Sequence, residues 1–207
     1  MKLQEPKISK YEESILIETD NEYYYNNSLF KHNVEIPIKL SNITFDSCIF
    51  KGIDFSNIEL INIDLIDVIF ENCDLSNKCF DEKLVERVKF INCKMIGTSF
   101  INSSLKDVLF EKCNARYINF SNANIKKMIV NETNFEELSF LETKIKNLEL
   151  SEVNLSRGEV ISTPLKDIDI STCKIENIRI DMYSIQGVII DKFQSIDLIN
   201  MLGVIIK

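Results

Sequence analysis

From Leu40 to Ile190 every fifth residue is apolar, 31 successive positions without a break. In a chain that is 45% hydrophobic, such a run arises by chance on the order of once in 10^11 trials. Eleven of the 13 phenylalanines, from Phe45 to Phe140, fall in this single register. An α-helix cannot use the pattern, because five residues advance about 500° and scatter the apolar positions around the axis. A flat strand cannot use it either, since an odd period sends successive positions to opposite faces. A backbone that bends once per five residues keeps every register side chain inside.

The flanking positions agree. In extended chain, residues i and i−2 share a face, and two before the register stand small or β-branched residues such as Ile43, Cys48, Val68, Cys93, Thr98, Ser103 and Ala123. Two after it the chain is polar and rich in asparagine, at 42, 57, 62, 72, 77, 92, 102, 122, 147 and 177. Asparagine tolerates turn conformations and bonds to nearby backbone, so these positions are expected at corners.

With its inward stripe and polar corners, the sequence resembles the pentapeptide-repeat family, as in ENCDL (71–75) and SNANI (121–125). The resemblance implies an all-β fold, a right-handed quadrilateral β-helix of four pentads per coil in which residues 20 apart stack. The rise would match inter-strand spacing, about 4.8 Å, so the repeats give nearly eight coils. Stacking would place Phe50, Phe70, Phe90 and Phe110 in one column and Phe80, Phe100, Phe120 and Phe140 in another.

Three segments are expected: an N-terminal cap over 1–37, the β-helix over 38–192, and a C-terminal helix and strand over 193–207. Ser195 is a plausible N-cap and Gly203 a helix stop. One stretch conflicts with the pattern. Over 76–89 the count of five holds, but Lys78 and Lys83 fall at inward positions. Burying unpaired ammonium groups costs several kcal/mol, so a pentad or two is expected to bulge outward here, as a recognition loop or a local irregularity. A second soft spot is expected near Gly158 and Pro164.

Little in the chain suggests chemistry. Five of six cysteines (Cys48, Cys73, Cys93, Cys113, Cys173) stand at inward positions and read as small buried hydrophobes, leaving Cys79 off register. There is no Cys-x-x-Cys pair and the only histidine is His32, so zinc spacing is absent. No phosphate loop or nucleophile elbow is present. The expectation is a non-enzymatic protein without metal or cofactor. A formal charge of −8 and a pI near 4.9 argue against direct nucleic-acid binding. Without an apolar leader or a membrane-length run, a cytoplasmic location is expected.

The surface is where function is expected. The likeliest partner face combines outward apolar residues Ile49, Ile69, Leu109 and Ile129 with the acids Glu111, Glu132, Glu149, Glu152 and Asp169. A lysine ladder, Lys106, Lys126, Lys146 and Lys166 with Lys144, stands elsewhere, either balanced by Asp107 and Asp167 or facing an anion. The tail GVIIDKFQSIDLINMLGVII (187–206) resembles the ending of Qnr-type quinolone-resistance proteins, in its Asp191, Phe193, Gln194, Leu198, Leu202 and Gly203. That resemblance implies a homodimer through Phe193, Ile196, Leu198, Ile199, Leu202, Val204, Ile205 and Ile206. It also implies a DNA mimic that binds DNA gyrase or topoisomerase IV and protects it from quinolones. The alternative is a rigid interaction scaffold with no topoisomerase activity. Duplex DNA carries a charge about every 1.7 Å of axis, far denser than −8 spread along such a rod, so any mimicry must be confined to one face.

Overall fold

A computed structural model describes residues 1–19 and 21–201, with backbone alone for Asn200 and Met201. The strand Ile38–Lys51 lies parallel and in register on Ile58–Glu71, pairing Leu40 with Leu60, Phe45 with Leu65 and Phe50 with Phe70. Leu84–Ile91, Ser104–Glu111 and Asn124–Asn131 follow in order. The offset of twenty residues makes each coil four pentads, and the whole a β-solenoid. Ile38–Lys51 and Ile58–Glu71 cover three sides of their coils, and in the next three coils two sides are extended strand. The other two are turns joined by single bridges such as Asp74 to Lys94 and Cys79 to Ser99, where Leu75 N donates to Lys94 O at 2.7 Å and Phe80 N to Ser99 O at 2.8 Å.

The register side chains fill the interior. Phe50, Phe70, Phe90 and Phe110 stack with centroids 4.8, 5.2 and 4.9 Å apart and planes within 17° of parallel. Phe80, Phe100 and Phe120 form a second column at 5.2 and 5.4 Å. The columns meet edge to face, Phe100 on Phe110 at 6.3 Å and 88°. Both arrangements suit the aromatic quadrupole, offset stacks along a column and T-shaped contacts across it.

The small residue two before the register has a polar task as well. Ser103 Oγ donates to Phe80 O at 2.6 Å, Thr143 Oγ1 to Phe120 O at 2.8 Å and Thr163 Oγ1 to Phe140 O at 3.0 Å. Cys113 Sγ reaches Phe90 O at 3.3 Å in the same way. Each donor serves a carbonyl 23 residues earlier, so the buried hydroxyls and thiol at these four positions are satisfied. That is why serine, threonine and cysteine occupy a place that only small side chains fit.

Corners adopt left-handed backbone two residues after the register. Asn62, Asn72 and Asn92 have φ of 59°, 55° and 51°, and Glu82, Arg87 and Tyr117 share the conformation. Asn57 and Asn147 do not; their amides donate instead to Val34 O at 3.2 Å and Lys126 O at 3.1 Å. At the Gly97 corner, with φ of 71°, a Cβ would sit 2.7 Å from Asn77 Oδ1, so glycine relieves both the backbone and the crowding.

The expected outward bulge at 76–89 is absent. Asn77 N donates to Ile96 O at 2.8 Å and Glu82 N to Ile101 O at 2.8 Å, and the coil runs on unbroken. The lysines stay half-buried because their stems are long enough to carry the charge to an acceptor. Lys78 Nζ donates to Ile58 O at 2.8 Å, and Lys83 Nζ to Asn62 Oδ1. Burial still pushes the Lys78 pKa down, against the raising pull of Asp54, Asp74 and Glu59. The register shift in the long sheet lies elsewhere, where Lys106 pairs with Lys127 and Val108 returns to Met128. Near the second expected soft spot, Lys144 N donates to Ala123 O at 2.9 Å. Twenty residues on, Pro164 has no N–H to repeat that bond, and strand pairing on this side stops at Lys144–Ile145.

Residues 1–37 divide in two. Tyr23–Asn26 and Ser28–Phe30 already wind, paired with Ile38–Lys51. Tyr25 stacks on Phe45 at 5.3 Å and Phe30 on Phe50 at 4.8 Å, so two more side chains join the register ahead of Leu40. The first residues instead run along the flank of the rod, as described below.

At the other end, the helix Gln194–Met201 follows the last coil. Its N-cap is Asp191, not Ser195. Asp191 Oδ1 accepts from Gln194 N at 2.9 Å while Gln194 Oε1 accepts from Asp191 N at 2.9 Å, a reciprocal capping box. Ser195 Oγ turns back to Lys192 O. The buried Gln194 amide also donates to Ile170 O and Cys173 O, both at 2.8 Å, and so clips the helix to the last coil.

Candidate interaction surfaces

Because the repeat consumes its apolar residues inside, any recognition chemistry must lie on outward positions, corners and the ends. The flank expected to meet a partner carries positions 49, 69, 89, 109, 129, 149 and 169 in one row. Ile49 is only 8% exposed. Ile69, Leu109 and Ile129 are half-buried, whereas Glu149 and Asp169 are exposed. Of the acids, Glu111 is half-buried and Glu132 sits 3.8 Å from Lys112 Nζ. Glu132 and Glu152 border a shallow groove of about 490 Å³ with Asn134, Asn154, Thr172 and Lys174. Asp169 Oδ1 accepts from Ser171 N at 2.8 Å, and hydrogen bonds from the Ser171 hydroxyl and N–H hold its carboxyl below the usual range.

The apolar row is less exposed than the sequence implies because the chain's first residues lie along it. Gln4 N donates to Asp107 Oδ1 at 2.9 Å and Lys7 N to Asp67 Oδ1 at 2.8 Å. Ser47 Oγ donates to Lys7 O at 3.2 Å and Lys127 Nζ to Lys2 O at 3.3 Å. Glu5 pairs with Lys89, and the Met1 nitrogen with Glu149. Leu3, Pro6 and Ile8 are half-buried. Ser47, Asp67 and Asp107 are left-handed corners of one ladder, and Lys127 follows them at the register shift, where it pairs with Lys106.

Between them Arg87 donates Nε to Asp67 Oδ1 at 2.6 Å and Nη2 to Asp67 Oδ2 at 2.8 Å, and pairs with Glu86 through Nη1. Burial alone would raise the Asp67 pKa, but the Arg87 side chain and the Lys7 N–H outweigh it and hold the carboxyl below its ordinary value. The Asp67 carboxylate in turn pushes the Arg87 pKa up. Of these residues only Asp107 stood out in the sequence, as a counter-charge to the lysine ladder. The signal was available: read at steps of twenty, 67, 87, 107 and 127 alternate acid, base, acid, base.

The lysine ladder is partly neutralised. Lys106 pairs with Glu86 at 2.8 Å. Among the described residues Lys126, Lys144, Lys146 and Lys166 make no ion pair. A groove of about 720 Å³ opens beside them, between Asn124, Lys144, Lys146, Ser162, Pro164 and Tyr183, at the place where Pro164 ends the strand pairing. Elsewhere opposite charges stack coil on coil, as in Lys94 with Asp74 at 2.8 Å and Lys51 with Glu71 at 3.0 Å.

At the C-terminal end, Phe193, Ile196 and Ile199 are 69%, 49% and 37% exposed, while Leu198 packs against the core. The other expected interface residues, Leu202, Val204, Ile205 and Ile206, lie outside the described residues. His32 meets Glu13 at 2.7 Å on an exposed surface, beside Lys31. Among the described residues no group of three His, Cys, Asp or Glu is placed to hold a metal ion, and no helix is long and apolar enough to cross a membrane.

Comparison with known proteins places this geometry. Residues 38–77 match the family model for pentapeptide repeats (8 copies), and residues 63–140 match that for the pentapeptide repeat region. No curated protein matches the chain. Among solved structures, a trypsin-treated variant of QnrB1, a plasmid-mediated fluoroquinolone resistance protein, is 22% identical. That match covers 90% of this chain and 98% of that one, with a TM-score of 0.37. Full-length QnrB1 is 16% identical, over 89% and 100% of the two chains, at 0.27. HetL, a pentapeptide repeat protein involved in heterocyst differentiation regulation from the cyanobacterium Nostoc sp. strain PCC 7120, is 13% identical over 84% and 92%, at 0.31.

Proposed function

Since this chain is a pentapeptide-repeat protein, we propose that it acts without catalysis, as a rigid rod that pairs with a second copy and presents its flanks to a protein partner. The observation that carries this reading is the apolar side of the terminal helix. Phe193, Ile196 and Ile199 stand in solvent on an element that Gln194 fixes to the last coil. A fixed apolar surface at one end of a rod suits a two-fold contact with its own copy. Six free cysteines without a disulfide suit a reducing, cytoplasmic setting.

Sedimentation tests the pairing. The double variant Phe193→Asp, Ile196→Asp is expected to halve the mass of the wild-type protein and leave its circular dichroism unchanged, since both side chains are exposed. A wild-type monomer, or a variant of unchanged mass, refutes the interface. Leu198 is a poorer probe, because its packing against the core mixes folding with association.

A second, narrower reading makes the partner a type II topoisomerase, shielded from quinolones by a Qnr-like DNA mimic. It is favoured by the tail, whose Asp191, Phe193 and Gln194 combine the capping box, the clip and the exposed aromatic in one short motif. The stacking of opposite charges along the rod confines any mimicry to the acids at 111, 132, 149, 152 and 169. A gyrase supercoiling assay decides. Competition with duplex DNA and altered quinolone inhibition are expected; supercoiling indifferent to a stoichiometric excess, with and without drug, leaves the scaffold reading in its place.

A further inference from the structure

The flank occupied by the first residues has the features of a peptide-docking track. Four side chains from four coils bond the main chain of residues 2–7: Lys127 to Lys2 O, Asp107 to Gln4 N, and Asp67 and Ser47 to Lys7 N and O. Both polarities of backbone group are read, and only Lys89 addresses a side chain there, that of Glu5. Asp67 and Asp107 are themselves buried, at 4% and 3% exposure, so their carboxylates are costly to leave without donors.

The spacing explains the fit. Asp67 and Asp107 are two coils apart, roughly 9.6 Å at the inter-strand spacing. Gln4 and Lys7 are three residues apart, about 9–10 Å in extended or polyproline chain. An extended segment running along the rod therefore meets these two carboxylates with N–H groups three residues apart. Leu3, Pro6 and Ile8 are meanwhile half-buried, and Glu5 reaches Lys89 in the row of Ile69, Leu109 and Ile129.

We propose that the corner ladder Ser47–Asp67–Arg87–Asp107, with Lys127 beyond its end and the outward apolar row beside it, is a docking site for extended peptide. Residues 2–8 of this chain are its resident ligand, held in cis. The site takes a seven-residue segment with apolar residues at the second, fifth and seventh places and an acid at the fourth, read mainly through its backbone. Arg87 orders the site rather than touching the ligand: it fixes Asp67 bidentately, so that one oxygen remains aimed at an N–H.

The test uses the full-length protein and a fluorescent peptide of sequence KLQEPKI. In the wild-type chain the tethered segment competes at the high effective concentration of a short linkage. Substituting Leu3→Asp and Ile8→Asp weakens the tethered copy and is expected to tighten peptide binding by about ten-fold or more in fluorescence anisotropy. Adding Asp107→Asn removes one carboxylate from the track and is expected to weaken binding again by about five-fold or more. A peptide of the same composition in scrambled order, with its apolar spacing lost, is expected to bind more weakly than KLQEPKI. Equal binding by the wild-type and Leu3→Asp, Ile8→Asp proteins overturns the proposal. So does binding indifferent to Asp107→Asn, or no binding by the opened variant at millimolar peptide. Circular dichroism and urea unfolding of each variant confirm that the rod itself is intact. Because the track is far from the terminal helix, its failure leaves the pairing of copies untouched.

Discussion

Replacing Phe100 by alanine is expected to lower the unfolding free energy by about 3–5 kcal/mol, the largest single-site effect in the molecule. Phe100 is fully buried and stacks on Phe80 and Phe120 while presenting edges to Phe90 and Phe110. Its removal opens a hole in one column and strips an edge contact from two rings of the other. The surrounding walls cannot collapse, because each side of the coil is tied by hydrogen bonds to the coils above and below. A solenoid is stabilised through nearest-neighbour contacts, so a gap at the middle divides the rod into two weakly coupled halves. Urea unfolding followed by circular dichroism should show the midpoint fall, and any drop in the slope would mark that decoupling. Ile36, 71% exposed and away from the terminal helix, changed to alanine, serves as control and should move stability by no more than about 0.5 kcal/mol. A Phe100→Ala protein within about 1 kcal/mol of wild type would mean that the aromatic columns do not hold the coils together.

Asp67→Ala comes next, at about 3 kcal/mol. The side chains of Asp67 and Arg87 are 6% and 11% exposed, and removal of the carboxylate leaves a guanidinium with Glu86 as its remaining partner. It also deprives the Lys7 N–H of its acceptor. The pH dependence has a definite sign. The folded-state pKa of Asp67 lies below its unfolded value of 3.8, so the unfolded chain takes up the proton first as pH falls. The stabilisation is complete above the unfolded pKa and is lost as pH drops through the folded one. Stability differences between wild type and Asp67→Ala should therefore stay level from pH 8 to about 5 and shrink below about 4. A gap that grows with acid would place the carboxylate in a different role.

How much of this was written in the sequence depends on periodicity. Side chains that point inward repeat at five and twenty, and the eye recovers them from Leu40 to Ile190 without help. The corner asparagines follow the same count, and the terminal helix is legible by a different one, the three-to-four-residue apolar spacing of a helix. Lys78 and Lys83 break the expectation because residue type does not fix where the charge sits. A lysine can stand at an inward site if its four-carbon stem spans the wall, and Ile58 O and Asn62 Oδ1 supply the acceptors. The first ten residues were illegible for another reason. Their contacts are made by backbone atoms, which every residue possesses, to carboxylates whose own corner positions are polar by default. Two independent aperiodic features had to coincide. The shift at Lys106 and Lys127 likewise leaves no trace in composition. Tyr25 and Phe30, by contrast, were in register all along, hidden only because Glu35 interrupts the apolar count.

The twenty-residue offset between paired strands also sets what changes of length the gene can tolerate. A duplication of twenty codons adds one storey and leaves each wall continuous above and below it. A gain of five turns everything beyond it by a quarter, setting aromatic columns against aliphatic ones and acids against unrelated neighbours. Even the permitted storey has a consequence when it falls between Asp67 and Asp107. It would stretch the gap from two rises to three, roughly 14 Å, more than the three residues from Gln4 to Lys7 can bridge. The outer segment thus acts as a ruler, tying the height of the lower rod to a length fixed in the first residues of the chain.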